Sequence, residues 1–192
     1  MARGSFTKTE LASFEGATVP DLMPPDRLRL LIVGINPGLW TAASGAHFAR
    51  PGNRFWPALE RAGILPHTVD ASAGLDPNDE ALLIERGIGI TNLVPVATAR
   101  ADQLTTAQLR AGGEALRAVV RARAPRVVAM LGITAFRAAF GTKCVQGRQD
   151  DDFEGAELWV LPNPSGLNAH ETTESLAVAY RAAAVAAGIV NA

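Results

Sequence analysis

The chain is expected to fold as an α/β protein, a three-layer α/β/α domain around a central, mainly parallel, four-stranded sheet. Three observations predict this. Leu28–Ile35 is a run broken by no charge but Arg29, the pattern of a strand covered on both faces. Further short apolar runs follow it, each separated from the next by a helical segment, as βαβ units require. Helix-capping residues also stand at the starts of several of those segments.

Taken in order, residues 1–25, ending in Pro-Asp-Leu-Met-Pro-Pro, read as a weakly structured lead-in, and residues 26–192 as one domain. After the first strand, Asn53 can cap a helix through Gly63, with Pro57 confined to its first turn, where proline is tolerated. Ile88–Thr91 is a short second strand. Thr105-Thr-Ala-Gln108 is a capping box opening a helix to about Arg123. Gly112-Gly113 inside that helix costs about 1–2 kcal/mol of propensity, so close packing is expected there. Arg126–Leu131 is a third strand, followed by a short helix to Phe140. Glu157–Leu161 is a fourth, followed by a capped helix from Thr172 or Thr173 to about Gly188.

Composition bounds the function classes. At 192 residues, 48% hydrophobic and 19% charged, the chain is long enough for a real core and is not compositionally disordered. No apolar run reaches the ~18–20 residues of a membrane span, and MARGSFTKTE has no secretory apolar region. Cys144 is the only cysteine, which excludes an internal disulfide, a cysteine-held iron–sulfur cluster and a Cys-rich zinc site. A cytoplasmic protein without membrane attachment is expected. The net charge of -1 argues against tight non-specific DNA binding but leaves room for a small basic face.

In parallel sheets ligands bind outside the carboxyl ends of the strands. Those ends are Gly34-Ile-Asn-Pro-Gly38, Ile90-Thr-Asn92, Leu131-Gly-Ile-Thr134 and Leu161-Pro-Asn-Pro-Ser-Gly-Leu167. Three of the four carry an Asn, so the site is expected to be rich in amides rather than acids. There is no Gly-x-Gly-x-x-Gly after the first strand and no Walker lysine. His47, His67 and His170 show no metal spacing with one another, and Ser165 is not in a nucleophile elbow.

An amide donates and accepts at once, so Asn36 and Asn163 can read a nucleobase edge or hold a water, or can simply form turns before proline. Phe48, in a Gly/Pro/Ala-rich loop after the first strand, can stack on a base or fold onto the core. Phe55 and Trp56 read as core. Leu167, after a glycine, suits either a base-displacing wedge or a hydrophobic staple ahead of the last helix.

Two of these stretches closely resemble the mismatch-specific uracil-DNA glycosylase and thymine-DNA glycosylase family, a branch of the uracil-DNA glycosylase superfamily. The first is Gly34-Ile-Asn-Pro-Gly38 running through Phe48-Ala-Arg-Pro-Gly-Asn-Arg-Phe-Trp56; the second is Asn163-Pro-Ser-Gly-Leu-Asn168. Weaker likeness spans GITNLV, LRAGGEALRAVV and LWVLPNPSGL, covering roughly residues 27 to 185.

The resemblance implies a cofactor-free, monofunctional repair enzyme that flips a mismatched base from duplex DNA and hydrolyses its N-glycosidic bond, with a G·U pair as substrate and thymine or ethenocytosine as further candidates. It implies that Asn36 positions the attacking water. Ile35, Phe48 and Asn163 would bind the base, while Gly166, Leu167 and Asn168 would fill the gap and meet the orphaned guanine. The chain is expected to act as a monomer on DNA and to hold no metal. There are departures. Fast members of the superfamily have Asp at the position of Asn36 and His at that of Asn163, and some relatives have Lys at Asn92 and Arg near Ala169. His170 or Arg100 can replace the missing contacts, and Asp102, on the loop after the second strand, can assist the water or stand as an ordinary loop charge. A catalytically idle mismatch binder and a nucleoside hydrolase are the competing readings; the Leu167 loop argues against the second.

Overall fold

The structure, a computed structural model, describes residues 5–191. The first four residues of the expected lead-in and the last residue of the expected domain lie outside the described residues. Five strands form the sheet: β1 (Leu30–Gly34), β2 (Ile88–Asn92), β3 (Val127–Leu131), β4 (Gly147–Phe153) and β5 (Ala156–Leu161). Their order is β2-β1-β3-β5-β4. The pairs β1–β2, β1–β3 and β3–β5 are parallel, and β4 lies antiparallel on β5.

Every residue of β1 and β3 is buried. With a side-chain period of two, alternate residues then feed opposite faces. Leu30, Ile32, Val127, Ala129 and Leu131 enter a core shared with α3 (Phe55–Arg61) and α7 (Thr173–Ala187). Leu31, Val33, Val128 and Met130 enter a second core with α5 (Thr106–Arg123) and α6 (Ile133–Phe140). This is the expected three-layer α/β/α arrangement. Phe55 and Trp56 are buried, 0% and 4% exposed, as core residues.

The sheet has five strands, not four. The additional one, β4, reads Gly-Arg-Gln-Asp-Asp-Asp-Phe and is mostly exposed, so it shows no apolar alternation. It is an edge strand joined to β5 through Glu154 and Gly155, whose φ values of 56° and 88° match the left-handed turn that suits a two-residue hairpin. Glu154 also bonds Arg117 and Arg121 of α5, at 2.8 and 2.9 Å, which ties the hairpin to the helical layer.

Three helices join those read from sequence: α1 (Lys8–Ala12), α2 (Leu39–Ser44) and α4 (Pro77–Arg86). Asp76 caps α4 by accepting from the Asn78 N–H, Pro77 opens it, and Gly87 ends it with a φ of 74°. The segment expected as a weakly structured lead-in is instead tied to the domain. Thr7 and Glu10 form a capping box on α1, and Leu22 exchanges two backbone hydrogen bonds with Ile90 of β2. Ala17 and Gly16 bond Ala97 on the loop that follows β2.

The paired glycines of α5 pack as anticipated. A Cβ on Gly112 would lie 2.1 Å from the Leu93 carbonyl oxygen, and one on Gly113 would lie 2.9 Å from the Phe140 ring. The close approach at Gly112 fixes the backbone directly beyond the end of β2. Alanine at 112 would gain about 1 kcal/mol of helix propensity. Pushing α5 off a backbone oxygen is nevertheless expected to give a net loss of about 1–3 kcal/mol. Gly113→Ala should cost less, because the Phe140 ring can yield. Urea denaturation of the two variants checks this, and a Gly112→Ala protein as stable as the parent would contradict it.

Candidate active site

The carboxyl ends of β1, β2, β3 and β5 open on one cleft of about 490 Å3, on the sheet edge where such clefts form. Its lining includes Ile35, Asn36, Phe48, Asn92, Asp102, Asn163 and Leu167. The two Asn-Pro turns, at Asn36 and Asn163, are far apart in the sequence and meet across one cavity.

Asn36 is the most constrained of these side chains. Its Nδ2 lies 3.0 Å from the Pro37 oxygen, 3.1 Å from the Val96 oxygen and 2.8 Å from Thr98 Oγ1. Two of these are carbonyls, which only accept, so the amide can point only its nitrogen at them. Thr98 gives its own hydroxyl proton to the Arg100 oxygen at 2.9 Å, and so it too faces Asn36 as an acceptor. The nitrogen is therefore fully committed, and Oδ1 is the pole of Asn36 left for a ligand.

Asn163 is arranged the other way round. Its Oδ1 accepts from the Ser165 N–H at 3.0 Å, closing the turn that its sequence suggested. Nδ2 is its remaining group. The cleft thus offers an acceptor from one Asn-Pro turn and a donor from the other.

Phe48 folds onto the core and also faces the cleft. Its ring stacks on Phe55 with centroids 3.9 Å apart at 24°, and it also borders the cleft. Its φ of 55° is strained for an aromatic residue and persists only because the surroundings enforce it. Trp56 Nε1 donates to the His47 oxygen at 3.1 Å, fixing the residue before it. Gly34 leaves no room for a side chain: a Cβ there would lie 2.6 Å from Asn92 Oδ1 and 3.2 Å from Phe48 Cζ. Ile35 gives its carbonyl to the Val94 N–H, and its side chain packs on Gly132.

His47 and Asn92 form a pair that sequence reasoning missed. His47 is 6% exposed, and its Nε2 lies 3.1 Å from the Pro20 oxygen. A carbonyl only accepts, so Nε2 carries the proton and Nδ1 faces the Asn92 nitrogen, 3.4 Å away, as a bare acceptor. That fixes the Asn92 amide with its oxygen toward Gly34 and the cleft. Burial, the largest influence, holds the His47 pKa below its usual value, against the Pro20 hydrogen bond and the Asp21 charge, which act to raise it. Only residue 20, in the lead-in, reveals this role; no spacing rule links it to position 47.

Asp102 lies at the cleft rim with Arg100, and both of its carboxylate oxygens bond that guanidinium. The loop of Gly166, Leu167, Asn168 and His170 stands beside the cleft. Leu167 is 75% exposed at its tip, Asn168 Nδ2 donates to the Asn163 oxygen at 3.2 Å, and the His170 N–H bonds Asn168 Oδ1 at 3.3 Å. The His170 ring is exposed and does not line the cleft.

Because the folded state disfavours His47 protonation, its contribution to stability is fully present above the unfolded pKa of about 6.5 and declines as pH falls below it. One such group contributes a slope of at most about 1.4 kcal/mol per pH unit. Chemical denaturation between pH 7.5 and 5 should therefore show falling stability that is shallower in His47→Gln. Parallel curves for the two proteins would remove His47 as the cause.

The family model of the uracil DNA glycosylase superfamily matches residues 20–185, most of the chain and all of the cleft described above.

Proposed function

The chain belongs to the uracil DNA glycosylase superfamily, whose members are DNA glycosylases acting in repair, and from that premise we propose that it is a monofunctional enzyme excising uracil opposite guanine. The observation that carries this reading is the Asn36 amide, whose nitrogen is tied to Pro37, Val96 and Thr98 so that its oxygen alone is left for a water.

In this reading Oδ1 of Asn36 accepts a hydrogen bond from a water and aims the water's lone pair at the sugar C1′. The bond from C1′ to the base breaks with its electron pair going to the base. The water oxygen then bonds C1′ and gives up one proton to solvent, while the departing base anion takes one up, giving an abasic site and a free base. Nδ2 of Asn163, left over once Oδ1 accepts from Ser165, stabilises charge on the departing base. Phe48, braced from behind by Phe55, offers a stacking surface for the flipped base. Asn92 Oδ1 adds an acceptor for a base N–H. Both lysines, Lys8 and Lys143, lie outside the cleft lining, which favours water over an amine as nucleophile.

An amide orients a water but cannot take its proton strongly, so the leaving group and the cost of extruding the base decide the rate. This supports slow turnover and a preference for mismatched pairs, which unstack easily. Exposed Leu167, between Gly166 and Asn168, supports a duplex substrate, since it can fill the space a flipped base vacates.

Incubation with duplex holding a G·U pair, followed by alkali, tests the activity; no strand break at any enzyme excess would leave only a mismatch-binding role. Asn36→Ala is expected to abolish excision while mismatch binding persists, and loss of both would reduce Asn36 to a turn-former. Asp102, held by Arg100, is expected to contribute little: Asp102→Asn should fall well short of the roughly 10²–10⁴-fold loss of a general base. Leu167→Ala should slow duplex excision more than single-strand excision, and equal losses would rule out the wedge.

A further inference from the structure

The loop that carries Leu167 is held in place by one side chain that touches neither the cleft nor the groove beside it. Arg54 lies outside both linings. Its backbone N–H donates to the Pro164 oxygen at 3.0 Å. Its guanidinium donates through one terminal nitrogen to the Ser165 oxygen at 2.7 Å and the Asn168 oxygen at 2.6 Å, and through the other to the Glu171 oxygen. One residue thus ties down four carbonyls spaced along residues 164–171, on both sides of the exposed Leu167. All four partners are backbone oxygens and none is a carboxylate, so these contacts leave the positive charge beneath the loop unneutralised.

A second contact interlocks the same two segments. A Cβ on Gly166 would lie 2.6 Å from the Gly52 oxygen, so the wedge loop and the loop after Phe48 meet backbone to backbone. A groove of about 250 Å3 runs between Arg50–Asn53 and Ser165–Leu167.

We infer that Arg54 is the positioning residue of the wedge, presetting residues 164–171 so that Leu167 meets the duplex already in its inserting geometry. This rests on the proposed glycosylase reading. An exposed leucine on a free loop would have to be ordered at the moment of insertion, and a loop ordered beforehand avoids that loss of entropy. The planar fork of arginine reaches three oxygens in different directions at once. A lysine keeps the charge but cannot make that set of bonds. Arg54 also joins the two functions in sequence: it lies six residues after Phe48, which faces the flipped base, and clamps the loop that fills the base's former place.

The test compares wild type, Arg54→Lys, Gly166→Ala, Leu167→Ala and the Arg54→Lys/Leu167→Ala double variant. Each is assayed for kcat/KM on a G·U duplex, for binding to a duplex holding a tetrahydrofuran abasic analogue opposite guanine, and for its thermal midpoint. Arg54→Lys is expected to lower duplex kcat/KM about 10–100-fold, the scale of a misplacement near 1 Å. If Arg54 acts through the wedge, the double variant should fall no more than about threefold below Leu167→Ala alone, because the two changes share one mechanism. Losses that multiply, or an Arg54→Lys protein at the wild-type rate, overturn the inference. Should Arg54→Lys fail to fold, Gly166→Ala at the loop tip carries the same expectation and the same refutation. If wild type releases no base, the proposed activity has failed. Binding to the abasic duplex then decides the role of Arg54 by itself: weakening by Arg54→Lys and Gly166→Ala supports it, and unchanged binding refutes it.

Discussion

Strand β1 is buried on both faces from Leu30 to Gly34, and that burial confines the polar chemistry of the molecule to the point where the strand leaves the sheet. A side chain inside the sheet would have to be apolar or fully satisfied. The first positions free of that demand are Ile35 and Asn36. The same holds for β3, and β5 is buried at its last two positions, so the parallel register delivers several such exits to one edge. The cleft follows from the sheet rather than from any one loop.

At that edge the amides are made directional by neighbours that can only accept. Pro37 and Val96 carbonyls orient Asn36, and Pro20, acting through the His47 ring, orients Asn92. A free amide presents either pole equally well; these do not. Under the proposed function, such fixed amide poles are what place the water and the base. Tyr180 extends the pattern to the second Asn-Pro turn. Burial pushes its phenol pKa well up, so it stays protonated and donates to the Pro162 oxygen at 3.1 Å.

Much of this was legible in the chain. Short, mainly apolar runs marked β1, β2, β3 and β5, and the Thr105 and Thr172 caps marked α5 and α7 to within a residue. The two Asn-Pro turns, Phe48 and Leu167 were identifiable because special turns and loop aromatics stand out from a helical or strand background. What was missed had either no apolar period or a signal of another kind. Strand β4 is an exposed edge stabilised by its hairpin and by Arg117 and Arg121, so its Asp-rich sequence resembles a loop. Helix α4 did carry its signature, Asp76-Pro77 at one end and Gly87 at the other, over a weakly apolar interior.

By itself the sequence determined the layer architecture, because burial on two faces dictates which residues each strand can use, and it located the residues at the strand ends. Tertiary structure alone decided what those residues present. Whether Asn36 offers nitrogen or oxygen depends on Val96 and Thr98, sixty or more positions away. Whether the Leu167 loop is slack or fixed depends on Arg54, more than a hundred positions earlier. Hydrogen-bond partners so distant in the chain are brought together only by the fold, and local sequence carries no record of their direction.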